Sequence, residues 1–105
     1  MIYVARPVMI QNPNDQTVNI SGIVTILCQI QSFPSPTITW FKDNQTVDVS
    51  KYFTNSVGML SLSNLTLINA SVSDSGNYQC RGSNVAGIVT SSEAIVLVNC
   101  KCYPN

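Results

Sequence analysis

The amino-acid sequence predicts an all-β fold in which two antiparallel sheets pack face to face as a sandwich. Its 105 residues leave room for one domain with one core. The apolar residues fall in short β-branched runs separated by Pro, Asn, Asp, Ser and Gly. Apolar residues make up 45% of the chain, enough to bury an interior, and no stretch of useful length has the period of an amphipathic helix.

The predicted strands follow one another with turn-forming residues between them. The first strand is expected in two pieces with Pro7 at a sheet edge, because proline has no amide hydrogen to donate to a central ladder. The predicted strands are Val8–Ile10 with Thr17–Ile20, Gly22–Ile30, Thr37–Lys42, Gln45–Val49, Tyr52–Val57, Ser61–Ile68, Gly76–Gly82 and Ile88–Val98.

The strand pattern ends at Val98, so we predict a domain over residues 1–98 and a linker, or the start of a following module, over 99–105. The first ten residues lack the charged start and apolar centre of a signal peptide. No apolar run approaches the roughly 20 residues that a membrane span needs, so this fragment is not expected to insert into a membrane directly.

Four residues stand at a diagnostic spacing. Trp40 follows Cys28 by 12 positions, Cys80 follows Cys28 by 52, and Tyr78 precedes Cys80 by two. With this pattern the chain resembles the immunoglobulin superfamily, and most closely its intermediate (I-set) type. The resemblance runs from Arg6 to Val98. Its other motifs are Pro7-Val8-Met9-Ile10, Phe33-Pro34-Ser35-Pro36, Trp40-Phe41-Lys42-Asp43, the segment from Asp74 to Cys80, and the segment from Cys80 to Gly87.

The resemblance implies an immunoglobulin-like sandwich with Greek-key connections. It implies a disulfide between Cys28 and Cys80 that joins the two sheets, which would contribute about 4 kcal/mol by closing a long loop. Trp40 is expected to pack on that bridge, and the Tyr78 hydroxyl to bond an upstream backbone group, the arrangement called the tyrosine corner.

The chain departs from the family pattern at a few positions. Gly82 stands where the family usually has alanine, and Asn44 where it usually has a turn glycine. Lys51 stands where an arginine often pairs with the acid of the corner segment, here Asp74. We expect Lys51 to approach Asp74 in a pair worth at most about 1 kcal/mol if it is exposed.

The composition argues against catalysis, cofactors and metals. Histidine is absent, which removes the commonest general base and zinc ligand. The five acidic side chains are scattered through the sequence, and no glycine-rich phosphate loop is present. Charged residues make up only 10% of the chain at a net charge of zero, so nucleic acid is an unexpected partner. The chain is therefore not expected to be an enzyme.

The cysteines and the glycosylation sequons favour an extracellular or cell-surface location. Four cysteines are many for a small cytosolic protein. Asn-x-Ser/Thr sequons begin at Asn19, Asn44, Asn64 and Asn69. If Leu65 and Leu67 point into the core, Asn64 points out from one sheet. The other three sequons fall in turns that share one end of the sandwich, so glycans would shield one face and one end.

The opposite sheet should then be open to a partner. In the family's lettering its strands are C (with Trp40), F (with Cys80) and G (the last strand), and we call its outer side the C-F-G face. Alternation predicts that the following side chains point outward: Thr39, Phe41, Gln79, Arg81, Ile95 and Leu97. Phe41, Ile95 and Leu97 are expected to form one exposed apolar group beside Arg81, an arrangement typical of interfaces. The alternative is that Phe41 is half-covered by its own neighbouring strand and that single exposed apolar residues carry no function.

These observations favour a recognition or adhesion module of a cell-surface receptor or adhesion protein. It would bind a protein, with a second copy of the chain as one option, and contact neighbouring domains of its own chain. The competing hypothesis is a structural spacer in a tandem immunoglobulin array of a matrix or muscle-type filament protein.

Cys100 and Cys102 are the least explained residues. One intervening residue places them poorly for a disulfide in an extended segment, so we predict that they do not bond to each other. They would instead pair with a following module or bridge two copies of the chain. The segment Cys100-Lys101-Cys102 is too small to hold a metal alone.

Overall fold

The computed structural model describes residues 3–100, which fold into two sheets packed as a sandwich. The strands of this part of the chain are β1 (Ala5–Gln11), β2 (Gln16–Asn19), β3 (Val24–Phe33), β4 (Thr37–Lys42), β5 (Gln45–Thr46), β6 (Tyr52–Val57), β7 (Leu60–Leu67), β8 (Gly76–Asn84), β9 (Gly87–Thr90) and β10 (Ala94–Asn99). Single 3₁₀ turns lie at Val49–Lys51 and Val72–Asp74.

The first sheet has the order β1-β3-β7-β6 and the second the order β2-β10-β8-β4-β5, with β9 also pairing with β8. Neighbouring strands are antiparallel except β2 and β10, which are parallel. Because β3 and β4 are consecutive but lie in different sheets, the chain crosses over the core at this point. The predicted all-β sandwich is confirmed.

The first strand is in two pieces, as expected, and the structure places the pieces in different sheets: β1 pairs with β3, whereas β2 pairs with β10. Side chains in the intervening segment hold the crossing in place. The Asn12 Oδ1 accepts a bond from the Ser92 amide at 2.9 Å, and the Asp15 Oδ1 accepts one from the Ile95 amide at 2.8 Å. Asp15 is therefore a structural acceptor for the last strand.

The core lies between the sheets and is built by alternation along the strands. Along β3, for example, every second residue from Val24 to Ile30 is buried while those between are exposed or half-buried. The predicted core positions Trp40 and Leu65 have no exposed surface, and Leu67 and Tyr78 are also buried. The remaining core members are Val24, Ile26, Cys28, Ile30, Ile38, Ala70, Cys80, Val96 and Val98.

The prediction of a single last strand over Ile88–Val98 is wrong in one respect. Thr90 pairs with Arg81 and Ala94 pairs with Tyr78, so this strand has one more residue than its partner between the two pairs. The extra residue is a β-bulge that divides the strand into β9 and β10. It turns Ser91 inward, where that side chain is buried.

The prediction of a strand over Gln45–Val49 is also too long, because β5 ends at Thr46. Asp48 begins the following 3₁₀ turn, and its Oδ1 accepts a bond from the Ser50 amide at 3.0 Å. That bond satisfies an amide of the turn and favours the turn over a continued strand.

Candidate interaction surface

A disulfide joins the sheets behind the C-F-G face. Cys28 and Cys80 are bonded, with their Cα atoms 6.6 Å apart. Trp40 is the strand partner of Cys80 and is fully buried. Its indole Nε1 donates to the Ser63 Oγ at 2.9 Å, which satisfies the buried ring nitrogen. This arrangement anchors β4 and β8, the two strands that hold most of the predicted partner-binding residues.

The tyrosine corner is present at the start of β8. The Tyr78 hydroxyl donates to the Asp74 carbonyl oxygen at 2.6 Å. Burial raises the pKa of Tyr78 to about 12, with smaller contributions from the carboxylates of Asp74 and Asp43. Each of these effects disfavours the phenolate. The neutral hydroxyl is thus retained as a donor at physiological pH.

The predicted pair between Lys51 and Asp74 is not formed in the described part of the chain. The two residues line one pocket, but no ion pair links them. The Asp74 Oδ2 accepts a bond from the Ser71 amide at 2.9 Å and closes a capping box around the second 3₁₀ turn. The pKa of Asp48 is lowered, first by the Ser50 hydrogen bonds and to a smaller degree by the charge of Lys51.

Arg81 lies over Phe41 on the C-F-G face. The guanidinium carbon is 4.5 Å from the ring centroid, a distance at which a cation is attracted to the aromatic face. The Arg81 Nε is 3.4 Å from the Thr90 Oγ1, so β9 helps to hold the guanidinium in place. Phe41 is half-buried, and its strand partner Thr46 lies on β5. The predicted neighbours therefore meet.

Ile95 and Leu97 form a second apolar group on the same face. They are 54% and 48% exposed and lie on β10, two residues apart. The strand β8 lies between them and Phe41, so the two groups are about 10 Å apart across the sheet. Gln79, the strand partner of Phe41 on β8, donates to the Ser91 carbonyl oxygen at 3.0 Å. The sequence pattern predicts one apolar group, whereas the structure has two.

The four sequon asparagines are exposed or half-buried. Asn44 and Asn69 have φ angles of 68° and 53°, a left-handed conformation that asparagine tolerates better than most residues. The Ser21 amide donates to the Ala70 carbonyl oxygen at 2.8 Å. This bond brings the turn after Asn19 beside the turn of Asn69, so those two sequons share one end of the sandwich.

The outer side of the β1-β3-β7-β6 sheet is more apolar than the sequon pattern predicts. Phe53 and Val57 on the edge strand β6 are 70% and 72% exposed, and Leu60 and Val8 on the same sheet are 42% and 49% exposed. The pattern of Tyr52–Val57 could have indicated this, because Phe53 and Val57 lie an even number of residues apart and so on one face.

Residues 3–100 contain no cluster of three or more His, Cys, Asp or Glu side chains that could hold a metal ion. None of the helical segments described in that range is long and apolar enough to cross a membrane. Cys100 is disulfide-bonded. Cys102 lies outside the described residues, as does most of the predicted 99–105 segment, so the predictions about the partner of Cys102 remain predictions.

Comparison with known proteins places the chain in a family. A family model described as "Immunoglobulin domain" matches residues 6–84. Vascular endothelial growth factor receptor 1 of Rattus norvegicus is 37% identical over 86 residues, which cover 82% of this chain and 6% of the receptor. Hemicentin-1 of Homo sapiens is 33% identical over 92 residues, which cover 87% of this chain and 2% of that protein.

The chain therefore spans a small part of the curated relatives it matches. Among solved structures, a chimeric titin Z1Z2 functionalized with a peptide from decorin superimposes with a TM-score of 0.79 at 24% identity, covering 94% of this chain and all of that chain. This likeness shows a shared fold. The family match, the relatives and the disulfide-linked sandwich together show that the chain belongs to the immunoglobulin superfamily.

Proposed function

We propose that the chain is an intermediate-type recognition domain of an extracellular receptor or adhesion protein, and that it binds a protein partner through the C-F-G face. The observation that carries the proposal is the Arg81 guanidinium held over the Phe41 ring. Arginine and aromatic side chains are the types most enriched in protein interfaces. An arginine already ordered by a ring and by Thr90 loses less conformational freedom on binding.

The distribution of sequons supports the choice of face. Asn64 lies on β7, in the sheet opposite the C-F-G face, and Asn19 and Asn69 lie at one end of the sandwich. Glycans at these positions would leave the C-F-G face accessible. The relative named as a growth factor receptor supports a protein as the class of partner. The disulfide supports an oxidising, extracellular setting.

The first partner to test is a second copy of this chain. The glycosylated chain, secreted from eukaryotic cells, would be studied by sedimentation equilibrium and by binding of a multimerised form to cells. The informative variants are Arg81→Ala and Leu97→Arg. Val57→Arg is the matched control, because that residue is also exposed but lies on the other sheet.

We expect Leu97→Arg and Arg81→Ala to weaken self-association or cell binding at least about tenfold, a loss of about 1.4 kcal/mol. Val57→Arg should bind like the unmodified chain, and all variants should keep nearly the same melting temperature. Normal binding by both face variants together with loss of binding by Val57→Arg would show that the partner uses the opposite sheet.

A structural spacer in a tandem array is the second candidate, and one observation favours it. The chain enters the sandwich at Ala5, which pairs with Phe33 beside the β3–β4 turn, and leaves at Asn99, which pairs with Asn19 at the other end. Entry and exit at opposite ends suit a link in a chain of domains. A glycan mass shift on secreted protein would argue against an intracellular filament spacer. A spacer in a matrix protein would carry glycans too, and it would differ from the recognition domain in having no partner on the C-F-G face.

A further inference from the structure

A groove beside the β1-β3-β7-β6 sheet is lined in part by one of the sequon asparagines. Its volume is about 530 Å³, and its lining includes Ser50, Lys51, Phe53, Asn64 and Thr66. The groove lies on the opposite side of the molecule from the C-F-G face, and the proposed partner contact does not use it.

Asn64 and Phe53 are direct partners across the β6–β7 ladder. The neighbours of Asn64 on β7, Ser63 and Leu65, are buried, so Asn64 points outward. Directly opposed side chains in an antiparallel pair have Cβ atoms about 5 Å apart on the same face. The Phe53 ring therefore stands beside the asparagine side chain.

Within residues 3–100, neither side chain takes part in another specific contact. The side-chain amide of Asn64 forms no hydrogen bond there, and Phe53, 70% exposed, has no ring or cation contact. Thr66, the hydroxyl residue of the sequon, is exposed two positions after Asn64. The asparagine that would carry a glycan, the hydroxyl of its sequon and an exposed aromatic ring thus lie together in one groove.

We propose that Asn64 carries an N-linked glycan whose first N-acetylglucosamine packs on the Phe53 ring in this groove. The asparagine Nδ2 would form a bond to the anomeric carbon of the sugar. The bond from that carbon to a lipid-linked diphosphate donor would break, and the diphosphate would leave as the amide loses a proton. This inference rests on the extracellular setting of the proposed function, since the donor belongs to the secretory route.

The chemistry of the sugar fits the groove. One face of the pyranose ring presents C–H groups, which pack on an aromatic ring and make weak C–H contacts with it. The acetamide group is both a donor and an acceptor, and Ser50 and Lys51 line the same groove. Covalent attachment keeps the sugar at high effective concentration beside the ring.

The other sequons lack this arrangement. Asn19 pairs with Asn99 at the end of β2, and Asn44 and Asn69 lie in turns. None of these three has an aromatic partner in strand register. A glycan at Asn44 is therefore a matched control, since it should be independent of Phe53.

The test is a cycle of four secreted proteins: the unmodified chain, Thr66→Ala, which removes the glycan but keeps Asn64, Phe53→Ala, and the double variant. The glycans are trimmed to one N-acetylglucosamine. We expect loss of the sugar to lower the melting temperature by about 4 °C when Phe53 is present, and by less than half as much when it is absent. Two controls check this. The change in melting temperature caused by Asn44→Gln should be the same with and without Phe53→Ala. The change caused by Thr66→Ala should be the same with and without Val57→Ala.

Nuclear magnetic resonance supplies a second readout that does not depend on stability. The ring current of Phe53 should shift N-acetylglucosamine protons upfield, and the shift should vanish in Phe53→Ala. If Asn64 is glycosylated but the sugar signals are not shifted, and the effects of Thr66→Ala and Phe53→Ala on the melting temperature simply add, the sugar does not pack on Phe53. The proposed function would not be affected by that result. An unoccupied Asn64 would overturn the inference, and four unoccupied sequons would also remove the glycan argument for the choice of the C-F-G face.

Discussion

At the scale of single residues, buried side chains do more than fill space. Ser63 accepts bonds from the Trp40 Nε1 at 2.9 Å and from the Thr54 Oγ1 at 3.1 Å. Alternation along β7 could predict that Ser63 faces inward, but not that an indole would reach it from the other sheet. The core position of Trp40 was predictable, because its spacing from Cys28 can be read from the sequence.

Packing against Ile30 explains why position 82 is a glycine, and this explanation can be tested. A Cβ atom at this position would meet the Ile30 Cδ1 at 2.6 Å, so alanine, the usual residue of the family, requires Ile30 to move. We expect Gly82→Ala to cost about 1–3 kcal/mol by overpacking. Ile30→Val, which removes the obstructing methyl, should cost about 1 kcal/mol alone.

The double variant Gly82→Ala/Ile30→Val should be more stable than the sum of the single effects predicts, as measured by urea unfolding. Strict additivity of the two changes would mean that the contact between residues 82 and 30 does not limit the packing.

Tyr78 makes stability depend on alkaline pH. Its pKa is raised from 10.0 to about 12 in the folded chain, so the folded state holds the phenol proton more tightly than the unfolded state. The stability that this shift contributes is fully present below pH 10 and is lost as the pH rises toward 12. Tyr78→Phe removes the titration but also removes the bond to Asp74, about 1 kcal/mol at neutral pH.

We therefore expect the unmodified chain to be more stable than Tyr78→Phe at pH 8, and the difference to shrink between pH 10 and pH 12. Thermal unfolding of both proteins across this range measures it. A difference that stays constant with pH would contradict the shift, since both proteins share every other titrating group.

At the scale of elements, the turns and breaks are set by side chains that bond backbone groups. Asn84 donates from its Nδ2 to the carbonyl oxygens of Ala5 at 2.9 Å and Pro34 at 3.2 Å, while its Oδ1 accepts from the Ala86 amide at 2.8 Å. One residue thus joins the start of β1, the β3–β4 turn and the β8–β9 turn. The sequence predicts only a hairpin turn at Asn84, because its two long-range partners are distant in sequence.

The bulge between β9 and β10 escaped prediction for a similar reason. The sequence of Ile88–Val98 can be read as one strand with period-two alternation. The extra residue is evident only when this segment is paired with β8, which is distant in sequence. The strands Thr37–Lys42 and Tyr52–Val57 have the predicted bounds, since turn-forming residues flank both.

Ser91 should be the stabilising residue of the bulge. Its Oγ accepts a bond from the buried Cys80 amide at 2.9 Å. Ser91→Ala would leave that amide without a partner, and we expect a loss of about 1–3 kcal/mol. Ser92→Ala, an exposed position where only backbone atoms are bonded, should change stability by less than about 0.5 kcal/mol. Equal effects of the two substitutions in urea unfolding would show that the hydroxyl is dispensable.

At the scale of the whole molecule, the fold could be predicted from two kinds of feature: patterns within short segments, and a few cysteine, tryptophan and tyrosine residues at characteristic spacings. Short alternating runs define the strands, and Cys28, Trp40, Tyr78 and Cys80 define how the sheets meet. The interaction surface could be predicted only in part. Alternation decides which side of a strand a residue faces, so Arg81 was expected beside Phe41, but it does not give the distance across intervening strands that separates Phe41 from Ile95.

The bridge between the sheets should supply a large share of the stability of the whole domain. Cys28 and Cys80 are separated by 52 positions, and closing a loop of that length removes unfolded-chain entropy worth about 4 kcal/mol. A domain of this size is stable by about 5–15 kcal/mol in total. Replacing both cysteines, as Cys28→Ala/Cys80→Ala, should therefore leave a folded but marginal chain.

Urea unfolding tests this in a background of Cys100→Ser and Cys102→Ser, so that no tail sulfur takes part in exchange. We expect the transition midpoint to fall and the slope with urea to rise, because an unbridged unfolded chain exposes more surface. Trp40 fluorescence should report the same transition, since the ring packs in the core beside the bridge. A midpoint unchanged by the double replacement would mean that packing of the sheets alone holds the sandwich together and that the bridge adds little.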